Sequence, residues 1–546
     1  LLNDKERNFL KNCGLPLGPD SRFKTFQERF FFYLALTRAD EYLHITWSLA
    51  DEGGEALMPS PWVGLLVNRG YVKAESDTGT ITVKNRADYL VNARAALHFL
   101  PSALRSAKDG KRIDDIWWAL YDWALLNGYD DSVHTIGAGL FYNSRAQALS
   151  KGLIESLFLK NKTLRGSVTL LEAYRKCPFA FFAKYGLKLK ERQEYDFAAP
   201  DLGTLVHAVL RCIGERLLEE GRPWRELKDD EILSLCTVET ERAAAEAANN
   251  ILMSDAYFRQ IKNRVVATLV RTVRQLRDFS EGSEFSVRAL EQPFGTKGAW
   301  KGLSFNLPDG VKVELVGQID RVDTLELDGR TFILIVDYKS GKKSITLPEV
   351  YSGLELQLFL YMAVARRNLG SKAVPAGAVY CRVRNDVQRC SAEPTAAEKE
   401  RAYIKAGQLS GFYLNDSDVV RALDDCTMEG RAASPYSGLK INNDGTLKKA
   451  ANVSDEAEWY RLLRLVEAAA CRSASELTSG CIDIYPARWG SSNEHKACDY
   501  CPYAALCRFD VTAEDGNSWN YLGNLSIDDL FPDTVIVKDG GQDGVD

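Results

Sequence analysis

Two acidic side chains and one amine, Asp320, Asp337 and Lys339, stand where a tight hairpin would gather them on one face of a sheet. The runs Val311 to Thr324 and Arg330 to Lys339 alternate with the period of strands, and Asp328-Gly329 between them favours a type I′ turn. A turn centred there predicts Asp320 opposite Asp337 and Gln318 opposite Lys339. Opposed side chains lie roughly 4.5 to 5.5 Å apart at Cβ and share a face. Two carboxylates that close repel unless a divalent cation sits between them. Lys339, two residues past Asp337, shares their face, while Val322 and Ile335 make it apolar nearer the turn. A hard cation held by carboxylates beside an ammonium group is what phosphodiester hydrolysis needs: the cation polarises the phosphoryl oxygen and activates water, and the amine steadies developing negative charge. The bland alternative is a surface ion-pair network of Asp320, Arg321 and Lys339.

The elements that must position these groups are legible on either side. A helix expected from about Leu354 to Leu369 sets Gln357 and Tyr361 on one face, able to hold a nucleic-acid strand or orient a carboxylate. Gly203 to His207 lies in an amphipathic helix upstream, and His207 is one of five histidines. Gly377 to Val383 reads as a further strand. Farther upstream, residues 22 to 48 read as an amphipathic helix running into an apolar strand, Tyr42 to Trp47. From about 60 to 165 the pattern is helical, with Trp117, Trp118 and Trp123 expected in the core. Ser167 to Lys184 is helical through Cys177-Pro178-Phe179, and Phe258 to Arg277 is a helix with an apolar side and an arginine-bearing, solvated one. The last thirty or so residues read as a loosely held tail.

At 546 residues, the chain can bury three or four domain cores. Hydrophobic content of 45% and charged content of 26% are those of a soluble globular protein, without a membrane span or leader, so a cytoplasmic location is expected. Leu1-Leu2-Asn3 opens the chain without Met, which suggests a piece of something longer. A net charge of −6 excludes a generally basic coat but leaves room for a local basic groove.

Twelve cysteines in a reducing compartment point to a metal site before a disulfide framework. Cys498, Cys501 and Cys507 give C-x2-C-x5-C, three thiols within ten residues. Cys177 is the preferred fourth, over Cys471 and Cys481. Such a set suits tetrahedral Zn²⁺ or a [4Fe-4S] cluster, and spacing leaves both open. A group bridging positions about 320 residues apart closes a very long loop, so its binding energy becomes folding energy for the enclosed domain.

Taken together, Gly317 to Arg321, Val336 to Gly341, Gln357 to Tyr361 and Gly203 to His207 resemble the RecB-type branch of the PD-(D/E)XK nucleases. That resemblance implies an α/β fold, a mixed sheet flanked by helices, with His207, Asp320, Asp337 and the carbonyl of Tyr338 holding Mg²⁺ or Mn²⁺. It makes Lys339 the catalytic lysine and Gln357, Tyr361 and Gln318 the supporting groups. One cysteine before these motifs and three after is similar to the iron-sulfur nucleases of the AddB family, which favours [4Fe-4S] over zinc. Tyr33 to Ala39 resembles the last motif of superfamily 1 helicases, where an arginine, here Arg38, approaches a nucleotide γ-phosphate. No G-x-x-x-x-G-K-[ST] loop occurs, so ATP hydrolysis by this chain alone is not expected. The expected layout is the end of a helicase-like domain at 1–58, a helical connector at 59–165, the clasped nuclease at 166–515 and a tail at 516–546. The resemblance implies an AddA-like helicase-nuclease partner, DNA ends and single strands as substrate, and cutting of the 5′-ended strand during double-strand-break processing. Rival expectations are a cluster-stabilised DNA-binding scaffold without catalysis and a stand-alone CRISPR-associated iron-sulfur exonuclease.

Overall fold

The structure, a computed structural model, describes residues 3–15, 21–50, 56–73, 90–142, 146–190, 199–246, 256–296, 299–341, 343, 345–383, 395–425, 434, 436–441, 453–490, 494–511 and 518–522. It divides into two compact units, Leu1–Phe141 and Tyr142–Asp546. In the first, Asn92 and Asp114 cap the helices Ala93–Lys108 and Asp115–Leu126 with their side chains. Ala96, Leu100, Leu104, Trp117 and Leu120 pack between those helices as a small core.

Two expectations for this unit fail. The helix spans Ser21–Thr37, and Tyr42 to Trp47 forms no strand, since none of its backbone groups enters a described ladder. Trp118 and Trp123 are 47% and 40% exposed, on faces that the neighbouring helices leave uncovered, and Trp123 stacks on Tyr129. Trp117 alone of the three is core. Arg38 is exposed just past the helix end.

The second unit is built on a six-stranded mixed sheet. Its strands are β1 (Ser286–Phe294), β2 (Gly317–Leu327), β3 (Arg330–Lys339), β4 (Ala373–Arg382), β5 (Ser410–Leu414) and β6 (Val453–Ser454), in the order β6-β5-β4-β3-β2-β1. The β3–β4 and β5–β6 pairings are parallel and the others antiparallel. Among the helices serving the site, α1 (Val168–Lys176) and α2 (Ala199–Glu219) come before the sheet, and α4 (Gln357–Leu369) crosses from β3 to β4; α3 (Ala256–Glu281) and α5 (Glu456–Thr478) complete the cover. β3 is buried from Phe332 to Tyr338, and α4 is buried on every side from Leu358 to Ala365, as expected for a crossover packed between sheet and helix. Phe359 meets Phe412 of β5 and Trp459 of α5 in an aromatic cluster.

The hairpin register holds where strands pair: Leu327 faces Arg330, Val322 faces Ile335, and the ladder runs to Arg321 with Val336. Asp328 and Gly329 have φ of 51° and 71°, the two left-handed residues of a type I′ turn. Val311 to Thr324, however, is two strands in two sheets. Lys312–Leu315 pairs with Thr163–Gly166 and Ser304–Asn306, and the chain turns at Val316 to enter β2. Gly317 permits that turn, since a Cβ there would meet the Phe294 ring at 2.8 Å.

Boundaries shift elsewhere. The expected helix from Leu354 begins at Gln357, the strand from Gly377 begins at Ala373, and the Ser167–Lys184 helix breaks at Cys177 before a short turn, Pro178–Phe181, and a π-turn, Phe182–Gly186. Cys177-Pro178 is the reason, because proline disfavours helical geometry in the residue before it. Part of the expected loose tail is docked: Asn520–Tyr521 pairs with Ala487–Trp489, and Leu522 is buried. The remaining tail residues lie outside the described set.

Candidate active site

The site lies where β2 and β3 part. Beyond Arg321 and Val336 the two strands take different partners: the start of β2 pairs with β1, Gln318 facing Pro293, while the end of β3 follows β4, Lys339 facing Arg382. The expected pairings of Asp320 with Asp337 and of Gln318 with Lys339 therefore do not occur in the ladder. Gln318 instead donates its side-chain amide to the Glu291 carbonyl at 2.9 Å.

Asp320 and Asp337 point into the fork. Asp320 Oδ2 accepts the Tyr338 N–H at 2.8 Å and lies 3.5 Å from His207 Nδ1. The same imidazole donates through Nε2 to the Tyr338 carbonyl at 3.0 Å. Burial works to lower the pKa of His207, but hydrogen bonding to Asp320 and Glu291 outweighs it and raises the value to about 10. α2 brings His207 in by burying Leu205, Val206, Val209 and Ile213 and by approaching β1 at Gly214, where a Cβ would meet Leu290 Cδ1 at 2.4 Å.

Asp337 is held from the other side. Its Oδ1 accepts the Gln357 side-chain N–H at 3.0 Å, and its Oδ2 pairs with Lys339. Burial, and then the charge of Asp320, push the Asp337 carboxyl up, with Lys339 pulling the other way. Lys339 also donates to Gln357 Oε1 at 3.2 Å, and the Gln357 amide reaches the Tyr361 hydroxyl at 3.1 Å. One helical face thus ties the lysine and the acid together, and Tyr361 rests edge-on against Phe294.

Sequence reasoning missed Glu291. The pairs Leu290–Arg321 and Gln292–Ile319 leave it opposite Asp320, and its φ of 43° turns it out of the regular pleat. Its Oε1 lies 3.5 Å from His207 Nδ1. Among the described residues, His207, Glu291 and Asp320 form the one His/Cys/Asp/Glu group whose ligand atoms all lie within 4.8 Å of one another. The available signal was a single acid in the otherwise uncharged end of β1, Ala289 to Phe294, next to the strand that carries Asp320. Carboxylates around an imidazole and the Tyr338 carbonyl are a donor set for a hard divalent cation. A cavity of about 420 Å³, bordered by Thr204, Arg211 and Gln318, opens beside them.

Arg321, grouped with the acids in the bland sequence reading, turns to the opposite face. It is buried, makes a two-pronged bond to Asp323 at 2.8 to 3.0 Å, and its guanidinium lies 5.3 Å from the Trp224 ring centre.

Of the four nominated cysteines, Cys177, Cys501 and Cys507 each lie near enough to Cys498 to act on it electrostatically. Cys177 joins the end of α1 to Pro178–Phe181, and the Phe179 N–H donates to the Asp483 carbonyl at 3.2 Å. Burial pushes the Cys177 thiol up to about 11. Burial, and then Cys177, Cys501 and Cys507, push Cys498 up to about 12. Three thiols close enough to act on a fourth, Cys498, are a donor set of the kind that holds a thiolate-bound metal group. Cys471 lies in α5, and Cys481 beside Tyr174 and Asp483.

Comparison with known proteins agrees with this geometry. Residues 82–133 match the ATP-dependent helicase/deoxyribonuclease AddB fifth domain. The B-type subunit of the ATP-dependent helicase/deoxyribonuclease of Desulforudis audaxviator is 34% identical over 541 residues, covering 97% of this chain and 46% of that protein. Its counterparts of the same name in Bacillus thuringiensis and Bacillus mycoides are 33% and 32% identical, each covering 99% of this chain and 47% of the relative. The chain thus spans about half the length of the curated relatives it matches. Among the described residues no helix is long and apolar enough to cross a membrane. Residues 165–508, which contain the whole fork and all four nominated cysteines, match the PD-(D/E)XK nuclease superfamily, and the chain belongs to that superfamily, in an AddB-like form.

Proposed function

We propose that this chain is the nuclease-bearing part of an AddB-like subunit and cleaves DNA as a Mg²⁺- or Mn²⁺-dependent exonuclease in double-strand-break resection. The observation that carries the reading is the convergence of His207, Glu291, Asp320, the Tyr338 carbonyl and the Asp337–Lys339 pair at one fork in the sheet. His207, Asp320, Asp337 and Tyr338, joined by Glu291, would hold the cation. When bound, it supplies Lewis acidity toward phosphate and activates water. Lys339 keeps an ammonium group at the edge of the donor set, where it orients the attacking water and offsets charge developing on the phosphoryl oxygens. Gln357 fixes that ammonium by accepting from it, and Tyr361 fixes Gln357. The cavity beside Arg211 gives a DNA strand a route to the fork.

Cys177, Cys498, Cys501 and Cys507 would hold a [4Fe-4S] cluster as a structural clasp. One cysteine before the nuclease motifs and three after them, the arrangement of the AddB resemblance, favours the cluster over tetrahedral zinc. The relatives' name, which makes each one component of a helicase/deoxyribonuclease, supports partnership with an AddA-like protein. Within that partnership this chain takes the 5′-ended strand, as the family resemblance implies.

The deciding experiment adds Mg²⁺ to purified protein with end-labelled DNA. Wild type degrades the DNA, and Lys339→Ala binds without degrading it. Undiminished cleavage by that variant removes the catalytic assignment, and binding without cleavage by wild type favours the scaffold reading.

A further inference from the structure

α4, which carries Gln357 and Tyr361, has no cap of its own. Its N-cap residue is Leu356, with no side-chain acceptor, and the first backbone N–H groups of a helix need partners from outside it. The acceptor comes from α1. Glu172 Oε1 takes the Leu356 N–H at 2.7 Å and the Gln357 N–H at 3.0 Å, across 184 and 185 residues of chain. Glu172 is 7% exposed. Its helix grips the same approach to α4 a second time, Arg175 Nε donating to the Ser352 carbonyl at 2.9 Å.

Burying a carboxyl group to cap a helix is costly when Ser or Asp at position 356 would cap it locally. What the long-range cap adds is position. It holds the backbone of Gln357, whose side chain lies between Lys339 and Asp337. A second polar network borders Lys339, in which Lys343 pairs with Glu355 at 2.7 Å and Glu355 accepts from Tyr380.

We propose that Glu172 is a positioning residue of the nuclease site: its carboxyl oxygen fixes the first turn of α4 and, through Gln357, sets the Lys339 ammonium and the Asp337 carboxylate relative to each other. This rests on the nuclease reading for its kinetic readout alone. α1 ends at Cys177, so the same residue ties the helix that presents a clasp thiol to the helix that orders the catalytic lysine. Both bonds fall on one oxygen, which a glutamine also possesses. Burial, then the charge of Glu355, raise the Glu172 carboxyl above its ordinary value while Lys343 opposes them.

The test compares Glu172→Ala with Glu172→Gln in the full chain. Outer-shell partners of this kind are worth about 10- to 100-fold in activity. The alanine variant loses that much in kcat with KM for DNA unchanged, and the glutamine variant recovers most of it. Hydrogen exchange supplies a readout that needs no activity: the Leu356 and Gln357 amides open about tenfold faster or more in the alanine variant, are protected in the glutamine variant, and β3 and β4 stay as protected as in wild type. Wild-type kcat in the alanine variant, a glutamine variant as impaired as alanine, or unchanged exchange at those two amides overturns the proposal. If wild type cleaves nothing, the nuclease reading fails, and exchange at the two amides still decides the role of Glu172 in placing Gln357.

Discussion

The Asp320 carboxylate, rather than a strand carbonyl, takes the backbone N–H of Tyr338. A side chain thereby stands in for the next rung after the β2–β3 ladder ends at Arg321 and Val336. The substitution satisfies a buried N–H that the parting strands would otherwise orphan, and it aims the Tyr338 carbonyl at His207. The fork and the donor set have one cause.

Lys339→Ala removes the ammonium that Asp337 and Gln357 hold. Loss of one charge-stabilising donor costs about 10²- to 10³-fold in turnover. Single-turnover cleavage of labelled DNA at saturating Mg²⁺ should fall by that factor, with DNA affinity in a gel-shift assay retained.

Glu291→Gln tests the residue that sequence reasoning missed. If Glu291 helps to hold the cation with His207 and Asp320, Mn²⁺ affinity measured by electron paramagnetic resonance drops about 10- to 100-fold, and raising Mn²⁺ restores cleavage. An unchanged affinity makes Glu291 a bystander.

Cys501→Ala should remove iron and the absorption near 400 nm that zinc lacks, and it should open the second unit to protease. Full colour and protease resistance in the variant would count against the clasp.

The Arg321–Asp323 pair is sealed, with side-chain exposures of 4% and 2%. Asp323→Ala strands a buried guanidinium and destabilises by about 3–5 kcal/mol, whereas replacing both partners by apolar residues of similar volume costs far less. Urea unfolding of the single and double variants measures the difference.

Hydrogen bonding from Arg222 holds the Glu231 carboxyl below its ordinary 4.5. A carboxyl lowered in the folded state stabilises above its unfolded pKa and loses that contribution as pH falls through the folded value. The gap in melting temperature between wild type and Arg222→Ala should be constant from neutrality to about pH 5 and close in stronger acid. The pair lies just past the end of α2, so the measurement reports on the anchoring of the helix that carries His207.

What the amino-acid sequence determined by itself is local. Asp328-Gly329 set the turn because it tolerates two left-handed residues, and period-two alternation carried the register as far as Arg321 and Val336. Helical spacing put Gln357 and Tyr361 on one face, where they meet. The cysteine pattern nominated Cys498 together with the three thiols that act on it electrostatically. Tertiary structure decided where the hairpin ceases to be a hairpin. Competition for partners pulls the start of β2 to β1 and the end of β3 to β4, and no local period encodes the choice of a third strand. That choice broke the expected pairing of Gln318 with Lys339 and brought Glu291 to Asp320. For the same reason Glu172 could not be read as the cap of α4: a hydrogen bond across 184 residues leaves no trace in spacing, because it exists only once α1 and α4 are packed together.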